Sequence, residues 1–81
     1  MAVEQLENLL LVLARSLVDE PDSVEVSGTE SDSRVDLELR VAPDDMGRVI
    51  GRQGRTIRAI RTVVKAASVK AGKRVTVEVP D

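Results

Sequence analysis

The chain has 81 residues, 42% of them hydrophobic, with no aromatic side chain and a net charge of −2, which suits one small domain held together by packing. It has no cysteine and no histidine, so disulfides, thiolate or imidazole metal sites, a Cys nucleophile and the commonest general base are excluded, and neither cofactor, metal nor enzymatic activity is expected. The longest apolar run, residues 9–14, is far too short to span a membrane, and the start lacks the basic segment and cleavage site of a signal peptide, so a cytoplasmic protein is expected.

Leu6, Leu9, Leu10, Leu13 and Leu17 recur at helical spacing and predict an amphipathic helix over 3–18, stopped by Asp19-Glu20-Pro21-Asp22. Leu11, Val12 and Val18 fall outside that stripe and widen its apolar surface, as extra core or as a protein contact. A short strand is expected over 23–27, followed by a polar turn from Ser27 to Ser33. The alternation in Arg34-Val35-Asp36-Leu37-Glu38-Leu39-Arg40-Val41 predicts a strand over 34–41 with Val35, Leu37, Leu39 and Val41 facing the core. Pro43 opens a helix over 43–50, with Asp44 and Asp45 suited to its positive end rather than to catalysis. A longer helix over 54–70 carries Ile57, Ile60, Val63, Val64 and Ala67 on one side and Arg55, Arg58, Arg61 and Lys65 on the other. Lys70 and Gly72 mark its end, and Val75, Val77 and Val79 alternate in a last strand over 74–79.

The order is helix, strand, strand, helix, helix, strand. Two helices between the second and third strands require a right-handed crossover to a parallel neighbour. An α+β fold follows, with a three-stranded mixed sheet, strand 34–41 at its centre and all helices on one face.

Between the paired helices lies Val49-Ile50-Gly51-Arg52-Gln53-Gly54-Arg55-Thr56-Ile57. Glycines three apart let the backbone turn without a Cβ clash, and Gly51 suits a left-handed helix exit. The next helix directs its unpaired N–H groups and positive dipole end at the same spot, a setting for phosphate. Charge is distributed accordingly. Residues 1–45 hold three basic groups against twelve acids, whereas residues 46–81 hold nine against two. A polyanion responds to the field within about 10 Å rather than to the total. A P-loop would need glycine at Val49 and lysine at Arg55, and no Gly-x-Gly precedes Gly54, so no small-molecule substrate is expected.

The run Val49-Ile50-Gly51-Arg52-Gln53-Gly54 with Ile57 and Ile60 resembles the GXXG signature of the KH domain, and the element order is similar to its type II form. Leu17-Val18-Asp19, Arg40-Val41-Ala42-Pro43, Met46-Gly47 and Arg61-Thr62-Val63-Val64 are similar to small bacterial single-KH proteins of the KhpA (YlqC) type. The resemblance spans nearly the whole chain. It implies a single KH domain over 1–81 that binds single-stranded RNA as a post-transcriptional regulator or RNA chaperone, forms a homodimer, and pairs with a KhpB (Jag)-type KH protein. It places phosphates at Gly51, Arg52, Gln53 and Gly54, reinforced by Arg55 and Arg58. Ile50 and Ile57 would floor a base-binding groove, or simply pack in the core, with Arg40 or Val41 near the rim. The lack of aromatic stacking platforms argues against most other RNA-binding folds. Two alternatives stay open: a KH fold serving protein interaction, and a helix-turn-helix-like DNA binder inserting Arg55, Arg58 and Arg61 into a major groove.

Overall fold

The computed structural model describes residues 3–80. Its elements are α1 (Val3–Arg15), β1 (Glu25–Glu30), β2 (Arg34–Arg40), α2 (Met46–Ile50), α3 (Arg55–Val69) and β3 (Arg74–Glu78), with single 3-10 turns at Pro21–Ser23, Pro43–Asp45 and Arg52–Gly54. The sheet order is β1-β2-β3, with β1 antiparallel and β3 parallel to the central β2. The α+β architecture expected from the element order is therefore present.

The alternation in β2 buries Val35, Leu37 and Leu39 beneath α1 and α3, and Val75 and Val77 join them from β3. Leu6 and Leu10 from α1, Val49 from α2, and Ile57, Ile60 and Val64 from α3 close over that surface. Burying each Leu, Ile or Val contributes about 1.5–3 kcal/mol relative to exposure. With no aromatic ring to fill space, many small contributions must add.

Several boundaries differ from the sequence reading. The first helix ends at Arg15 rather than 18, because Leu17 N–H turns back to the Ala14 carbonyl at 3.0 Å and Ser16 Oγ bonds the Leu13 carbonyl at 2.7 Å. Ala14, not Leu17, completes the buried stripe with Leu6 and Leu10. The first strand runs over Glu25–Glu30 rather than 23–27, so the supposed turn at residues 27–30 is strand and only residues 31–33 turn. Pairing with β2 overrides the weak strand preference of Ser27-Gly28-Thr29. Gly28 serves close approach there. A Cβ on it would lie 2.9 Å from Val3 Cγ2 and 3.0 Å from Leu37 Cδ2, so its absence lets α1 settle on the sheet. Val41 lies just past β2 and is half-buried, and the last strand stops at Glu78 with Val79 half-buried beyond it. Val63 faces solvent at 45% exposure while Ser68 is buried instead, donating to the Lys65 carbonyl at 2.8 Å.

Asp45 departs furthest from its expected role. It makes no side-chain cap bond to α2 and is only 2% exposed. Its two oxygens accept the backbone N–H groups of Asp19 and Glu20, both at 3.1 Å, and Arg48 bridges to Asp45 at 3.3 Å and to Asp19 at 2.8 Å. A buried carboxylate thus ties the link after α1 to the start of α2. Each amide stripped of this acceptor would cost about 1–3 kcal/mol.

On the open face of the sheet, Thr76 sits directly opposite Asp36 and its Oγ1 donates to Asp36 Oδ1 at 2.6 Å, while Arg34 Nε donates to the same oxygen at 2.7 Å. The Thr76 hydroxyl first, then Arg34, hold the Asp36 carboxyl below its ordinary pKa. A lowered folded-state pKa gives stability that is complete above the ordinary carboxylate value and is lost as pH falls through the lowered one. In Thr76→Val the Asp36 pKa should move up toward the ordinary value and acid unfolding should begin at higher pH. Carboxyl NMR titration, with unfolding followed against pH, measures both.

Candidate nucleic-acid interface

The loop at residues 51–54 joins two helices of unequal strength. α2 has five residues, ending where Gly51 N–H bonds the Gly47 carbonyl at 2.8 Å. Gly51 then takes φ 76°, ψ 171°, an extended mirror-image conformation open essentially only to glycine. This is not the left-handed helical exit expected from sequence. That conformation belongs to Gly54, at φ 73°, ψ 17°, directly before α3. The two glycines are required for different reasons. A Cβ on Gly51 would lie 2.7 Å from Thr56 Cβ and 2.8 Å from the Thr56 backbone nitrogen, whereas on Gly54 it would meet nothing nearer than Ile57 Cγ2 at 4.0 Å.

Between them Gln53 is left-handed at φ 57°, ψ 25°, the one non-glycine residue with positive φ among the described residues. Such a conformation costs on the order of 1–3 kcal/mol and persists only when neighbours impose it. Gly54 N–H closes the turn on the Gly51 carbonyl at 3.1 Å, Arg55 N–H bonds the Arg52 carbonyl, and Arg58 Nη2 reaches back to the Gln53 carbonyl at 3.2 Å. The amides of Gly51, Gly54 and Arg55 are thereby occupied. Those of Arg52 and Gln53 meet no acceptor among the described residues, and both side chains are exposed.

The basic side chains differ in commitment. Arg52 and Arg55 are exposed and have no carboxylate partner among the described residues. Arg58 straps the loop, and Arg61 is half-buried with Nε and Nη2 on the Val77 carbonyl at 3.2 and 2.9 Å. Arg61 is therefore an edge-strand anchor rather than part of the free helix face. A major-groove helix would have only Arg55 of its three arginines unengaged.

Ile50 is half-buried beside the loop and Ile57, 5% exposed, belongs to the core. Arg40 is held by Glu38 at 2.6 Å on the open side of β2 and lines a cleft with Leu11 and Arg15 along the β1 edge. Val41 packs against the core. Among the described residues, the side-chain hydrogen bond and ion pair of Arg40 go to Glu38 and not to the loop. Thr56, which sets the position of Gly51, was not singled out from sequence; its only signal is its place two residues after Gly54.

The sequence model of the KhpA/KhpB KH domain matches residues 7–79. A relative in Clostridium acetobutylicum, named RNA-binding protein KhpA, is 57% identical over 74 residues, covering 91% of this chain and 99% of the relative. A Bacillus subtilis relative of the same name is 44% identical over 81 residues and the whole of both chains. In fold, residues of this chain superpose on a crystal structure of Era from Aquifex aeolicus with a TM-score of 0.69 and 18% identity, covering 93% of this chain and 29% of that one. The chain thus spans less than a third of Era, and this likeness concerns the fold alone.

Gly51→Ala should destabilise the protein more than Gly54→Ala, since the first meets both a forbidden conformation and Thr56 while the second meets only a positive φ, worth about 1 kcal/mol. Urea unfolding of the two variants ranks them.

Proposed function

Because the chain belongs to the KhpA/KhpB family of KH domains, we propose that it binds single-stranded RNA by its sugar-phosphate backbone at residues 51–54. One observation carries this reading: two adjacent amides, Arg52 and Gln53, lie without acceptors before the positive end of α3, between guanidinium groups free of carboxylates. Amide donors and fixed positive charge suit a phosphate oxygen, and they read no base. Bases would lie against Ile50, whose half-buried side chain offers apolar surface, with Ile57 supporting it from the core. Arg55 adds charge, and Arg58 holds the loop shape.

Forgoing aromatic stacking, worth about 1–3 kcal/mol per base, makes one copy a weak binder. Joining two copies raises the effective affinity without any new RNA contact. The reading therefore includes self-association, or pairing with a KhpB-type KH protein, and a role as cytoplasmic RNA chaperone or regulator. Val12, 65% exposed on α1, supplies apolar surface for such a contact. Light scattering across concentration should show the mass rising to that of a dimer, with Val12→Glu lowering it; a constant monomer mass would remove self-association.

Replacing Arg52→Asp together with Gln53→Asp sets two carboxylates against the phosphates. Aspartate tolerates the left-handed conformation at 53, so the fold should survive. Retention of single-stranded RNA should be lost while the circular dichroism spectrum is unchanged. Undiminished retention by the folded variant would refute the site.

A further inference from the structure

At the opposite end of α3 from the loop lies a second basic surface. Two shallow cavities follow the junction of α3 with β3, of about 220 and 420 Å³, and they adjoin, with Lys65, Val75 and Thr76 lining both. The nearer one also contains Arg61 and Val77, and the farther one Arg34, Val69, Lys73 and Arg74. The fifteen residues of α3 place this far end about 22 Å from the loop.

Charge there is poorly compensated from within the protein. Arg34 is paired with Asp36 and Lys73 with Glu30. Lys65, Lys70 and Arg74 have no carboxylate partner among the described residues. Moreover, Arg34 and Arg74 are directly opposite each other on the open face of the sheet, on strands about 5 Å apart. Asp36 already offsets Arg34, so the uncompensated charge of this pair is that of Arg74, and an anion beside it is favoured. Glu78 lines the nearer cavity without a cation of its own, so phosphate is disfavoured midway and favoured at the two ends. Val69, 75% exposed beside Arg74, offers an apolar surface to a base.

We propose that this far end is a second phosphate-binding site, so that one RNA strand seated on the loop runs along α3 and is held again by Lys70 and Arg74. The inference rests on the reading that the loop takes single-stranded RNA, and it lengthens the footprint beyond the roughly four nucleotides that such a loop clamps. Strands too short to reach ignore the second site.

Fluorescence anisotropy with an end-labelled tetranucleotide and a dodecanucleotide of uridine tests this on the wild-type chain and on Lys70→Gln with Arg74→Gln. The double variant should bind the dodecanucleotide about tenfold more weakly, with the slope of log affinity against log salt reduced by about 1.4, or 0.7 for each lost phosphate contact. Tetranucleotide binding should be unaltered. In wild-type NMR titrations, the Val69 and Arg74 amides should shift with the dodecanucleotide and not with the tetranucleotide. Equal dodecanucleotide affinity and slope in both proteins would overturn the second site, as would an equal loss for both oligonucleotides. A wild-type chain that binds neither would instead overturn the RNA reading itself, and this inference with it.

Discussion

The close approach of Thr56 to the α-carbon of Gly51 governs how the chain passes from α2 to α3. With no room for a side chain at 51, the backbone enters the turn extended and in mirror-image conformation, and the next residues must reverse within three positions. Gln53 consequently accepts a left-handed conformation that its side chain does not favour, and Arg58 secures it by binding the Gln53 carbonyl. That carbonyl is drawn toward the helix, while the Arg52 and Gln53 amides are left for another acceptor. Such preorganisation lowers the ordering cost that a ligand would otherwise meet.

A loop is only as well placed as the helices that carry it. α2, at five residues, is far below the length at which an isolated helix is stable in water. Its position comes from Val49 in the core and from Asp45 and Arg48, which fasten it to the link after α1. α1 in turn reaches the sheet because Gly28 leaves space for Val3 and Leu37. The loop therefore depends on contacts distant in sequence.

Periodicity made the element order and the mixed sheet legible, since the strict alternation in β2 and the spacing of Ile57, Ile60 and Val64 each admit one reading. Spaced glycines marked the loop. Boundaries were harder wherever tertiary contact overrode local preference. Ser27-Gly28-Thr29 reads as a turn until β2 lies beside it, and Leu17 reads as core until Ser16 and Asp45 pull the chain aside. Two acids after a proline suggest a helix dipole, and nothing local reveals that one of them is buried 25 residues from its partner. Arg61 shows the same limit: a helical wheel gives its side of the helix, whereas its bond to Val77 depends on where β3 returns.

The parallel pairing of β2 with β3 has a consequence for the order of events during synthesis. β3 follows α3 in the chain, and α3 packs its apolar side partly on Val75 and Val77. Until those residues leave the ribosome, the long helix lacks part of its floor and Arg61 lacks its carbonyl. Long-range parallel pairing of this kind forms late. A nascent chain thus completes the layer beneath α3 only after β3 has emerged.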